Sequence, residues 1–218
     1  GCEVFTDYRE LIGVVDAVSL AVPTILHAQM GSTLLEGGLH VLVEKPVAHT
    51  LDGADQLIAA QEASGKVLHV GHTERFNPAV TALGPHLSSP LFFEGHRLGV
   101  FEGRSLDVDV VLDLMIHDLD LVLSLVHAPL VEIRSAGVPV LTTRVDIANA
   151  RLEFKNGCVA NLTASRVSSE RVRKLRFFQP GQYLSLDFWK KETEVFGLVE
   201  ANGGKRIQHQ IVKGEPME

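Results

Sequence analysis

Short apolar runs alternating with helical stretches dominate the first third of the chain and leave few folds open. Residues 17–22 are nearly all apolar, as expected of a strand buried on both faces. Pro23-Thr24 stops this run, and a helix is expected over residues 25–36, ended by Gly37-Gly38. His40–Glu44 reads as the next strand, stopped by Pro46. Thr50 can cap a helix running to Ser64, with Gly65 as its terminator, and residues 67–70 form a third strand. Strand-helix-strand-helix-strand order implies a parallel sheet with helices packed on its faces.

The remainder has a different grain. Residues 91–97 read as a strand and residues 106–126 as one long helix. Strand-like runs follow at 131–140, 147–154, 158–165, 175–179 and 183–188. Lys155-Asn156-Gly157 predicts a hairpin turn, because Asn-Gly accepts positive φ at both central positions, and Pro180-Gly181 marks another turn. The fold class is therefore α/β followed by α+β. A partial Rossmann-type parallel sheet precedes an open, mainly antiparallel sheet with the long helix on one face. The boundary falls near residues 73–78.

A chain of 218 residues with 45% hydrophobic and 22% charged residues has an ordinary globular balance. Its net charge of -7 argues against nucleic acid as a partner, although an anionic ligand can still be held by locally placed cations. No apolar run approaches the length of a membrane span. Cys2 and Cys158 make neither a CxxC pair nor a disulfide framework, so no metal site is expected and a reducing, cytoplasmic setting fits.

In open parallel sheets, ligands bind beyond the carboxyl ends of the strands. Polar groups follow all three expected strands: Pro23-Thr24 with His27, then Glu44-Lys45-Pro46, then His72 with Glu74-Arg75. One polar loop is unremarkable, but three on one rim favour a binding site. The long helix is mostly apolar, yet Asp109, Asp113, His117 and Asp120 recur at helical spacing on one narrow stripe. Such a stripe faces either solvent or a cavity. An ordinary exposed face would mix in Lys, Glu, Gln or Arg, whereas Asp and His alone suit proton transfer. Asp118 lies off the stripe and reads as structural.

Three segments, in order, carry a resemblance to a known family. They are Asp16-Ala17-Val18 through Pro23-Thr24 and His27, residues 39–46 (LHVLVEKP), and Asp113-x-x-x-His117. Together they resemble the Gfo/Idh/MocA oxidoreductases (glucose-fructose oxidoreductase, inositol dehydrogenase, MocA) over essentially the whole chain. Leu39 stands where the family usually has Lys.

The resemblance implies a nicotinamide cofactor, NAD or NADP with NAD favoured, and a sugar substrate. Lys45 would polarise or orient the reacting hydroxyl beside the nicotinamide, and its bond to Pro46 is commonly cis in the family. Glu44 would contact the nicotinamide ribose, while Val22, Pro23, Thr24 and His27 would line the cofactor's middle. His117 would be the general acid/base, and Asp113 would bind the sugar and tune the histidine. Arg75 and Asn77, in an ERFNP segment, would serve both cofactor and substrate sites.

Residues 1–75 would then be the C-terminal part of a dinucleotide-binding domain, and residues 76–218 a substrate-binding and oligomerisation domain. The family's glycine-rich GxGxxG turn has no counterpart here, so the sequence reads as an internal fragment of a longer enzyme, lacking also its C-terminal end. Residues 72–79, 113–121 and 146–151 resemble the branch of UDP-N-acetylglucosamine 3-dehydrogenases. That branch makes a 3-keto sugar, which an aminotransferase uses on the way to lipid A.

A nucleotide-sugar substrate needs cations for its diphosphate. Arg97, Arg104, Arg166, Arg171, Arg173 and Lys174 are the candidates, with Arg166 the favoured one. A homo-oligomer is expected. Two alternatives stay open: another sugar or inositol dehydrogenase of the family, and a cofactor-binding regulator without turnover.

Overall fold

A computed structural model describes residues 2–103, 108–201 and 204–215. The chain divides into two compact units, Gly1–His72 and Thr73–Glu218.

The first unit is a three-stranded parallel sheet in the order β1-β2-β3 (Ala17–Leu20, His40–Glu44, Leu68–Gly71), with α1 (His27–Glu36) and α2 (Leu51–Ser64) between the strands. Thr50 caps α2 by accepting the Gly53 N–H at 3.1 Å, and Gly65 ends it with φ +65°. The sheet is more one-sided than the apolar runs suggest. In β2, Val41 and Val43 are buried while Leu42 is 39% exposed. The order 1-2-3 with right-handed crossovers places both helices on one face, which leaves the other face open among the described residues. The core on the covered face combines Leu20, Val41 and Val43 with Leu34, Leu35 and Leu57.

The second unit is built on an eight-stranded sheet. Its strands are β4 (Phe92–Leu98), β5 (Leu130–Val138), β6 (Ile147–Phe154), β7 (Val159–Ser165), β8 (Val172–Gln179), β9 (Gln182–Asp187), β10 (Glu192–Ala201) and β11 (Gly204–Val212). The order is β11-β10-β9-β8-β4-β7-β6-β5, and every pairing is antiparallel except β4 with β7. The turn after β6 differs from the expected one. Only Gly157 has positive φ (+84°), and Phe154 and Cys158 pair across a three-residue loop. This is a type I turn closed by a left-handed glycine.

The long helix also differs. Leu106 and Asp107 lie outside the described residues. Asp109 accepts the N–H groups of Val111 and Leu112 at 2.9 and 3.0 Å, so it caps the helix start. Val111–Met115 is a π-helical turn, and α4 proper is Ile116–Leu125. A short helix, α3 (Pro78–Thr81), precedes β4. Met115, Leu121 and Val122 join Phe93, Leu162, Leu175 and Phe177 in the second core. No described helix is long and apolar enough to cross a membrane.

Candidate active site

In the first unit, parallel pairing puts the ends of all three strands on one edge of the sheet. His27 knits two of the loops there. Its Nδ1 lies 2.9 Å from the Pro46 carbonyl and its Nε2 2.9 Å from the Val22 carbonyl, with the ring 1% exposed. Both ring nitrogens therefore face backbone acceptors, and the side chain works as a strut between the loops after β1 and β2. Thr24 is buried beneath the same rim, while Pro23 is exposed. Glu44 ends β2 opposite Gly71, where a Cβ on residue 71 would stand 3.2 Å from a Glu44 carboxylate oxygen. The glycine leaves room for the carboxylate. Lys45 follows, half-buried, and its bond to Pro46 is cis.

In the second unit, the Asp/His stripe separates into distinct jobs. Asp109 caps the helix. Asp120 grips Arg75 through two charge-assisted hydrogen bonds of 2.6 and 2.7 Å. Asp113 lies on the π-helical turn and His117 in the first turn of α4. π-turns inside helices are frequent at functional positions, because the extra residue re-aims the side chains that flank it.

Asn77 caps α3 by accepting the Ala79 N–H, and it donates to Glu74 and to the Phe188 carbonyl. Its amide is committed to holding the segment that leads into α3. Asp118 is 1% exposed and holds Arg97 at 2.7 and 3.1 Å, while Glu74 takes the other arm of Arg97 at 3.0 Å. Burial pushes the Asp118 carboxyl above its ordinary range, and the Arg97 guanidinium opposes that rise.

Beside this network lies a cleft of about 260 Å³. It is lined by Arg97, Leu98, Gly99, Val100, Phe101, Glu102, Asp113, Leu114, Arg166, Arg171, Arg173 and Trp189. Four of the sequence's candidate cations thus meet in one place. Lys174 does not join them and pairs with Asp187 at 3.6 Å. Arg104 lies outside the described residues. Arg166 is buried and donates to the Val108 carbonyl at 2.9 Å, which ties β7's end to the segment before the helix. Trp189 and Glu102 carried no signal in the sequence, since neither belongs to a periodic pattern or a motif. Among the described residues no group of three or more His, Cys, Asp or Glu side chains could hold a metal ion.

Two family matches cover these units in turn. Residues 1–72 match the oxidoreductase family with an NAD-binding Rossmann fold, and residues 94–181 match the GFO/IDH/MocA C-terminal domain. UDP-N-acetylglucosamine 3-dehydrogenase of Acidithiobacillus ferrooxidans is 40% identical over 196 residues, which is 89% of this chain and 63% of that protein. A solved structure of the 3-dehydrogenase from that organism superposes with a TM-score of 0.89 at 37% identity, covering 100% of this chain and 70% of its own. Levoglucosan dehydrogenase in complex with NADH and levoglucosan shares the fold alone. It has a TM-score of 0.86 at 19% identity, over 97% of this chain and 65% of its own. The fold and these likenesses define a Rossmann-type dinucleotide-binding fold joined to a GFO/IDH/MocA C-terminal domain. The chain belongs to the Gfo/Idh/MocA family. It spans 63% of the length of the curated 3-dehydrogenase it matches.

Proposed function

We propose that this chain belongs to an NAD-dependent oxidoreductase that converts the C3 hydroxyl of a UDP-N-acetylglucosamine-type nucleotide sugar to a ketone. The observation that carries the reading is the arginine-lined cleft into which Asp113 opens, one turn before His117. It sets the Asp113 carboxylate beside cations suited to a diphosphate. The likeness to a 3-dehydrogenase over most of the chain points the same way.

In this reading Pro23, Thr24 and Glu44 hold the cofactor at the carboxyl edge of the parallel sheet, on loops braced by His27. NAD, when bound, accepts the hydride from C3. Lys45 orients the hydroxyl, and its ammonium stabilises the developing alkoxide. His117 takes the hydroxyl proton, a task suited to an imidazole side chain. Asp113 accepts hydrogen bonds from sugar hydroxyls and keeps His117 oriented. Arg75 and Asn77 support the site through Asp120 and α3. The enzyme is a cytoplasmic homo-oligomer, and its keto product serves an aminotransferase on the route to lipid A.

A free polyol or simple sugar has no use for the cleft's solvent-side Arg171 and Arg173, which weighs against an inositol or glucose dehydrogenase. The presence of Lys45, Asp113 and His117 together weighs against a regulator without turnover. The test is a substrate panel with purified enzyme and NAD: UDP-N-acetylglucosamine, free N-acetylglucosamine, glucose and myo-inositol. Reduction of NAD by the nucleotide sugar alone is expected. Preference for a free sugar or inositol would overturn the substrate, and no turnover with any member would overturn the enzyme.

A further inference from the structure

The arginines of the cleft are not equivalent. Arg97 is matched by Asp118 and Glu74, Arg166 is spent on the Val108 carbonyl, and Arg171 pairs with Glu102 at the rim. Arg173 stands apart. Its guanidinium lies 4.5 Å from the centre of the Trp189 ring, and among the described residues no ion pair engages it. Trp189 is itself 51% exposed and lines the same cleft. Stacking of this kind fixes the plane of a guanidinium while leaving its N–H edge free to donate.

We propose that this cleft is the diphosphate-binding subsite of the nucleotide-sugar site. Arg173, held flat by Trp189, is the principal phosphate ligand, and Arg171 is the second, released from Glu102 when the anion arrives. The inference rests on the nucleotide-sugar reading above and adds the residues that recognise its charged half. Asp113 lines the same cleft, so a sugar ring held by Asp113 carries its diphosphate toward the arginines. Burial and the neighbouring Arg97 charge both press on Arg173 to lose its proton, a penalty that a bound dianion relieves. Neutralised Arg97 gives the cleft a fixed floor, so the discrimination falls to the two arginines nearer solvent.

Calorimetric titration of the purified protein with UDP, inorganic pyrophosphate, uridine and NAD tests this, in wild type, Arg173→Ala, Arg171→Ala and Trp189→Ala. Arg171 is half exposed, so its variant reports even where Arg173→Ala folds poorly. UDP is expected to bind wild type well ahead of uridine. Its affinity should fall about tenfold or more in Arg173→Ala, less in the other two variants, with NAD binding unchanged. Equal UDP affinity in wild type and both arginine variants would overturn the proposal, as would no binding of either UDP or pyrophosphate. Loss of NAD binding instead of UDP binding would reassign the cleft to the cofactor and overturn it also. Pyrophosphate binding that depends on Arg173, with no gain from the uridine of UDP, would uphold the anion site while refuting the nucleotide-sugar reading.

Discussion

Arg97 and Asp118 show how much one buried pair can decide. Each side chain is 2% exposed, and breaking such a pair leaves the partner charge buried without compensation. Asp118→Ala is expected to cost about 3–5 kcal/mol, read as a lower midpoint in urea unfolding. Asp146 acts on a loop instead. Burial pushes its carboxyl up, but the N–H groups of Thr142, Val140 and Leu141 and the Thr142 hydroxyl outweigh this and hold it well below the usual carboxylate range. A depressed carboxylate contributes stability above its unfolded value, about 3.9, and that contribution is lost as pH falls below it. Asp146→Asn should therefore lower Tm at neutral pH, with the gap to wild type closing in acid. Parallel melting curves across that range check it, and a constant gap would remove the carboxylate from the explanation. For chemistry, His117→Ala should lower turnover by about 10²–10⁴ with NAD affinity retained. Turnover within a few-fold of wild type would dismiss His117 as the base.

At the scale of elements, Gly95 of β4 makes room for leucine side chains of the neighbouring strands β7 and β8 beneath α4. A Cβ there would stand 2.7 Å from Leu162 Cδ2, 3.3 Å from Leu175 Cδ1 and 3.8 Å from Asp118 Cβ. Gly95→Val should cost about 1–3 kcal/mol by overpacking, seen in denaturant unfolding, and a neutral result would mean that the core relaxes around it. Elements with strong local punctuation were legible in the sequence: β2 between its stops, α2 between Thr50 and Gly65. β10 and β11 were not. β11 is exposed along nearly its whole length and mixes Lys205, Arg206 and Gln208 with Ile207 and Ile211, so no alternation marks it. The π-turn was equally silent, since no residue type announces an i→i+5 bond. Lys45, Asp113 and His117 stood out because they belong to short contiguous motifs. Asp120 with Arg75, and Arg173 with Trp189, are joined by tertiary structure alone. The same stripe that drew attention to Asp113 could not tell it from Asp109, which proved to be a cap.

For the whole molecule, the large sheet leaves one face bare. β5 is exposed throughout, and Val131, Ile133, Leu198 and Ile207 are each more than half exposed. They lie in two groups at opposite ends of the sheet, β5 at one and the paired Leu198 and Ile207 of β10 and β11 at the other, and exposed apolar groups on edge strands favour association, in line with the proposed homo-oligomer. Ile133→Glu with Ile207→Glu should shift the sedimentation coefficient toward the monomer, while an unchanged value would place any interface elsewhere. The proposed reaction removes a hydride from C3 of a nucleotide sugar. The most direct measurement uses UDP-N-acetylglucosamine carrying deuterium at C3, with NAD, and mass spectrometry of both products. The account predicts that the deuterium appears on the reduced nicotinamide and is absent from a 3-keto sugar nucleotide. Reduced cofactor without deuterium, with the label still on the sugar, would contradict it.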